Sequence, residues 1–128
     1  MSADDGIAAA REFIDAFNAQ DHERLAAALN YPHIRLARNF TRIESAAEFA
    51  ARSRSGEPEL RAEGWHHSVL AVLEAVQTSP DKVHLLMRVD RCRESGEVYS
   101  SFDTFWIATR RDGHWGIQFR SSYLGAPS

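Results

Sequence analysis

Residues 83–123, the last third of the chain, constrain the fold more than any other stretch. Apolar and polar residues alternate there with the two-residue period of half-buried strands, and Glu94-Ser95-Gly96 and Arg111-Asp112-Gly113 interrupt the pattern. A glycine closing each interruption supplies the positive φ that a tight hairpin turn needs. Three long strands in antiparallel sequence are therefore expected, and the rest of the chain is their cover.

The turns assign the faces. Three-residue loops, each a type I turn closed by a left-handed glycine, pair Arg93 with Glu97 and Arg110 with His114. Counting by twos then puts Val83, Leu85, Met87, Val89, Arg91, Tyr99, Asp103, Phe105, Ile107, Trp115, Ile117, Phe119 and Ser121 on one face. His84, Leu86, Arg88, Phe102, Trp106, Gln118 and Arg120 fall on the other. The first face is the more continuously apolar and is expected to meet the helices. A two-residue turn at Asp112-Gly113 would shift this register.

Upstream, an amphipathic helix is expected over residues 4–18, capped by Ser2 or Asp4, with Ile7, Ala10, Ile14 and Phe17 on one face. Asp21 opens a second helix over residues 22–29, which Asn30 and Pro32 end. A short hairpin follows, residues 34–37 and 40–43. Ser45 and Glu48 form a capping box for a third helix reaching about residue 53. Residues 54–63, with Gly56 and Pro58, read as a polar loop, and residues 65–77 as a strand.

At 128 residues the chain is long enough for one domain, residues 1–128, with a core that needs no staples. A net charge of −3 argues against nucleic-acid binding, which needs a basic excess. One cysteine, Cys92, excludes an internal disulfide. The opening MSADDG lacks the apolar run of a signal peptide, and no stretch approaches a membrane span, so a cytoplasmic protein is expected.

Two stretches resemble the nuclear transport factor 2-like superfamily. Phe13-Ile14-Asp15-Ala16-Phe17-Asn18-Ala19-Gln20-Asp21 is similar to its F-x-x-A-x-N-x-x-D helix junction. Asp112-Gly113-His114-Trp115-Gly116-Ile117 is similar to its D-G-x-W-x-I turn. Both motifs specify fold rather than chemistry. The resemblance implies an α+β fold: a cone-shaped, strongly bent antiparallel sheet with three N-terminal helices on its concave face, often a homodimer through the outer face. The superfamily holds steroid isomerases, a scytalone dehydratase, epoxide hydrolases, SnoaL-like cyclases and members without known activity, so fold alone assigns no reaction. Matched residue by residue, Asp103 and Tyr99 would stand for an isomerase oxyanion hole, but no base lies near residues 33–35. Arg91 and Asp103 would supply two members of an epoxide hydrolase's Asp-Arg-Asp set, while Asp90 alternates to the wrong face.

The polar cluster at one end of the apolar face motivates a small-molecule pocket. Its ligand is expected to be apolar and its chemistry, if catalytic, a cofactor-free isomerisation, dehydration, cyclisation or hydrolysis. Asp103 would be the acid–base, Tyr99 and His67 hydrogen-bond donors, and Arg91 an orienting charge. Trp65, Phe17, Met87, Trp115 and Ser121 complete the expected pocket. No metal site is expected, since no H-x-x-x-H or cysteine pair is present, and adjacent His66 and His67 point to opposite faces. Phe102 and Trp106 on the outer face would make the homodimer interface. The alternative is a non-catalytic homodimeric ligand- or protein-binding module with a filled core, the cluster merely structural.

Overall fold

The first helix, α1 (Ser2–Ala19), buries Ala9, Ala10, Phe13, Ile14 and Ala16, the apolar stripe of a 3.6-residue period. The computed structural model in which it is seen describes residues 1–124. Gly6 lets α1 press against the sheet, because a Cβ there would lie 2.7 Å from that of Val83. Neither Ser2 nor Asp4 caps α1; Met1 stands at the N-cap without a side-chain bond, and left-handed Gln20 ends the helix. Asp21 caps α2 (His22–Ala27) as expected, accepting from the Arg24 amide at 3.1 Å. This helix is shorter than the sequence suggested, because Leu29 already pairs with Ile117 and opens strand β1 (Leu29–Leu36), which runs through Pro32.

A turn leads to β2 (Phe40–Ile43) and then to α3 (Ala46–Ala62). Ser45 caps α3 by accepting from the Glu48 amide, and the Glu48 carboxylate reaches back to the amide of Glu44. The expected loop over residues 54–63 is helix instead as far as Ala62, with Glu63 as its C-cap. Pro58 withdraws a donor from the carbonyl of Arg54, but both residues are exposed, so water can satisfy it. The i,i+4 pairs Glu48–Arg52 and Glu57–Arg61 add support along the helix.

Strands β3 (His67–Ser79), β4 (Lys82–Cys92), β5 (Val98–Arg111) and β6 (His114–Ser122) complete a six-stranded sheet of order β2-β1-β6-β5-β4-β3. Every neighbouring pair is antiparallel except β1 and β6, so the sheet is mixed rather than wholly antiparallel. Gly116 permits the parallel contact: a Cβ there would stand 2.6 Å from the carbonyl carbon of Leu29.

The face assignment was right for β4, wrong for β5, and wrong for β6 beyond Ile117. The first turn pairs Arg93 with Glu97, the Arg93 amide donating to the Glu97 carbonyl. One residue later Tyr99 is an extra member of β5, so Cys92 faces Val98 while Arg91 faces Ser100. This bulge turns the rest of β5 over: Phe102, Thr104, Trp106 and Ala108 face the helices, and Asp103, Phe105 and Ile107 face outward. The second turn is the two-residue form, with Asp112 at φ 51° and Gly113 at φ 78°, pairing Arg111 with His114. A further bulge at Gln118 returns Arg120 and Ser122 to the inner face and sends Phe119 and Ser121 outward. Cys92 and His33 are both buried.

Candidate ligand cavity

Asn18, at the end of α1, fastens the helix over the sheet by two hydrogen bonds to the Ser68 backbone. Its side chain accepts from the Ser68 amide at 2.7 Å and donates to the Ser68 carbonyl at 2.9 Å. Between α1, α3 and the inner sheet face lies a cavity of about 350 Å³. That is within the range of small-molecule sites, roughly 300–1,000 Å³. Phe13, Phe17, Phe49, Phe102 and Trp106 form its apolar walls, and exposed Arg52 and Gly56 of α3 mark its mouth.

Three arginines project into this apolar space: Arg35 from β1, Arg91 from β4 and Arg120 from β6. Arg120 is the deepest, and the cavity is its route to solvent. Its guanidinium carbon lies 4.9 Å from the ring centre of Phe13, 5.9 Å from Phe49 and 6.0 Å from Trp106, held by cation–π attraction. Its Nε donates to Nε2 of His33 at 3.0 Å. His33 must then carry its proton on Nδ1, which faces the Ile117 carbonyl at 3.1 Å. Burial first, and the guanidinium of Arg120 second, push the imidazole down to about 3, so it is neutral. Burial, and next Arg35, bring Arg120 down to about 9, still cationic at neutral pH. Arg35 is lowered as well, by burial and then by Arg91.

Arg91 differs from the other two in having a counter-charge. It donates to Oε1 of Glu63 at 2.8 Å, and the same oxygen accepts from the Tyr99 hydroxyl at 2.7 Å. Burial, then Glu63, pushes Tyr99 up to about 12. On the opposite wall, His22 links two lining residues of α3. Its Nδ1 lies 2.7 Å from Ser53 Oγ and its Nε2 2.7 Å from Glu57 Oε1, whose second oxygen accepts from Arg61. Those bonds hold the Glu57 carboxyl below its ordinary value.

Of the residues expected at the site, Arg91 and Phe17 line the cavity. Asp103 stands on the outer face, 68% exposed and 3.5 Å from Arg88, because of the Tyr99 bulge. Tyr99 sits outside the lining, tied to Glu63. His67, at the start of β3, lies outside it too, its Nδ1 2.9 Å from that of exposed His66; Ser68 is the β3 residue on the wall. Trp65 is buried behind Phe17, 5.2 Å between ring centres, and donates to Ser68 Oγ. Met87 is core, Trp115 packs at the core's edge, and Ser121 faces outward opposite Phe105. Phe102 and Trp106, expected at a dimer interface, are cavity walls. Sequence reasoning missed Arg35, Arg120, Ser53 and Glu57. Their signal was weak: single polar residues whose facing depends on bulges, or on a helix read as a loop. Among the described residues, no group of three or more His, Cys, Asp or Glu could hold a metal ion. No helix among them is long and apolar enough to cross a membrane.

No family model and no curated protein matches the chain. Solved structures do, and they establish the nuclear transport factor 2-like, cystatin-like fold that the two motifs implied. A nuclear transport factor 2-like protein with a cystatin-like fold from Novosphingobium aromaticivorans superposes with a TM-score of 0.77 at 16% identity, covering 99% of this chain and 84% of that one. A protein of the same type and of unknown function from Shewanella oneidensis gives 0.75 at 17%, covering 96% and 99%. A ketosteroid isomerase-like protein from Erwinia carotovora gives 0.72 at 17%, covering 98% of each. Likeness at these identities speaks to the fold alone.

Proposed function

We propose that this protein binds one small, largely apolar molecule in the cavity between α1, α3 and the inner face of the sheet. The observation that carries the reading is an aromatic-walled space of about 350 Å³ left open beside the buried core. The test is titration with N-phenyl-1-naphthylamine, a neutral fluorescent probe, read by its emission and by quenching of Trp106. Saturable one-to-one binding is expected. Ser122→Phe fills the cavity from the β6 wall and should abolish binding while leaving the melting temperature unchanged. Probe binding untouched by that substitution would refute the reading.

A second reading, that the bound molecule is turned over, is favoured by the hydrogen-bonded row Ser53–His22–Glu57. It supplies a hydroxyl, an imidazole and an orienting carboxylate on one wall. That row, not Asp103, would carry proton transfer. Ser53→Ala should then abolish turnover and leave affinity intact.

A homodimer through the outer sheet face is also proposed, on residues other than Phe102 and Trp106. Val72 and Leu86 are exposed there beside Phe105, and the neighbouring pair Arg88–Asp103 offers both charges to a two-fold copy. Leu86→Arg should convert a sedimenting dimer to monomer, and a wild-type protein that is monomeric at every concentration removes the proposal.

A further inference from the structure

We infer that the ligand of this cavity is an organic anion: a ring-sized apolar body carrying a carboxylate or another oxyanion, gripped by Arg35 and Arg120. The inference rests on the pocket reading above and narrows it to a chemical class.

Its first support is a contrast among the arginines. Arg24, Arg42, Arg52, Arg54, Arg61, Arg88, Arg91, Arg93 and Arg110 each stand within ion-pair distance of a carboxylate. All of these but Arg91 lie largely on the surface, where such a partner matters least. Arg35 and Arg120, inside the cavity where a partner matters most, have no carboxylate among the described residues. They are also neighbours in register across β1 and β6, so the two cations are presented side by side. A chain of net charge −3 thus keeps two positive charges without a carboxylate partner together in an aromatic-walled recess.

Hydrogen bonding gives the second support. Arg120 uses its Nε on neutral His33, and its terminal amino groups meet no acceptor among the described residues; the same is true of the whole guanidinium of Arg35. Yet among the described residues no buried side-chain nitrogen or oxygen lacks a partner. The free donors must therefore open onto the cavity, where they line its wall. The rings of Phe13, Phe49 and Trp106 fix the Arg120 fork before anything arrives, so little side-chain freedom is lost on binding.

Energetics supply the direction. Two desolvated guanidiniums repel each other, and an unpaired buried charge is costly. An oxyanion entering between them accepts charge-assisted bonds from both and cancels the repulsion, while the aromatic walls take its apolar body. A neutral molecule of the same shape gains the walls and leaves the charges unmet.

The test compares 2-naphthoate with its neutral counterpart 2-naphthamide by calorimetry and Trp106 fluorescence, with 2-naphthyl phosphate as a third arm. The naphthoate, the phosphate or both should bind at least about tenfold more tightly than the amide, as charge-assisted bonds predict. Which of the two is tighter identifies the oxyanion. Arg35→Met and Arg120→Met should erase that preference. Arg35→Met should also raise the melting temperature of the ligand-free protein, which loss of a merely structural arginine would not do. If Arg120→Met fails to fold, Arg35→Met alone decides. Equal or tighter binding of the amide overturns the anion class and leaves the pocket standing. So does failure of all three naphthyl compounds where N-phenyl-1-naphthylamine binds; failure of that probe as well overturns both.

Discussion

Lowering the pH from about 7 to about 5 should cost this protein roughly 2 kcal/mol of stability through His33 alone. Its imidazole is fully buried, bonded through Nε2 to a guanidinium and through Nδ1 to a carbonyl, and its folded value is about 3 against 6.5 for the free side chain. A proton on Nε2 would place an imidazolium against Arg120, with Arg35 also near. The folded state therefore refuses a proton that the unfolded chain accepts, and stability falls as pH drops below the unfolded value. In the window between the two values the slope approaches about 1.4 kcal/mol per pH unit. Urea unfolding at several pH values, followed by far-ultraviolet circular dichroism, measures it; with a denaturant slope of about 2 kcal/mol/M the midpoint should move down by about 1 M. The depressed carboxylates Glu12 and Glu57 act in the opposite part of the range. Their contribution is complete above the unfolded value of 4.5 and is lost only as pH falls through their lower folded values. His33→Gln keeps an acceptor for Arg120 and a donor for Ile117 but cannot titrate, so its profile should be flatter by the amount above. A wild-type midpoint constant between about pH 7 and pH 5, or an equal slope in His33→Gln, would refute the account.

Two further outcomes follow from the geometry. Gly116→Ala drives a methyl into the backbone of Leu29 and the amide of Asn30, both nearer than 3.0 Å, and should destabilise the fold by about 3 kcal/mol in thermal or urea melts. Asp103→Asn removes an exposed ion pair of 3.5 Å and should change stability by less than about 1 kcal/mol, with probe binding unaltered in the same titration.

How much of this was legible in the sequence depends on whether a one-residue irregularity intervened. The strands of the last third, the helix cap at Asp21, the Ser45–Glu48 capping pair and the inner face of β4 follow from local chemistry, which a sequence displays directly. So do the two fold motifs, whose work is now visible: Asn18 clamps Ser68, and Asp112-Gly113 make the tight turn between β5 and β6. Residues 54–63 were misread because Gly56 and Pro58 argue against helix locally, whereas i,i+4 ion pairs and the burial of Phe49 and Ala50 argue for it. The site was missed for a different reason. Alternation says which residues share a face but not where the count slips, and both slips fall next to the cavity. Read straight through, β5 presents Asp103 as an inward acid and β6 presents Arg120 as an outward base. Tyr99 and Gln118 reverse both, replacing an acidic pocket with a cationic one.

That reversal can be tested by removing one slip. Deleting Tyr99 leaves Val98 opposite Cys92 and brings Ser100, still opposite Arg91, directly after it, so β4 and β5 pair without a break and the strand beyond keeps its register. Phe102, Thr104 and Trp106 should therefore still face α1, and Trp106 should keep its contact with Phe13, 4.6 Å between ring centres, and its bond to the Thr104 hydroxyl. What is lost is the Tyr99 side chain: the bond of its hydroxyl to Glu63 and the contact of its ring with the Arg93 guanidinium. Both lie near the surface, so the cost should be about 1–2 kcal/mol, well inside the margin of about 5–15 kcal/mol of such a domain. The deletion protein should give a native near-ultraviolet spectrum and undiminished probe binding. Strand signal in the far ultraviolet without an ordered tryptophan signal or probe binding would mean that the inward face of β5 depends on the bulge itself and not on its register with β4.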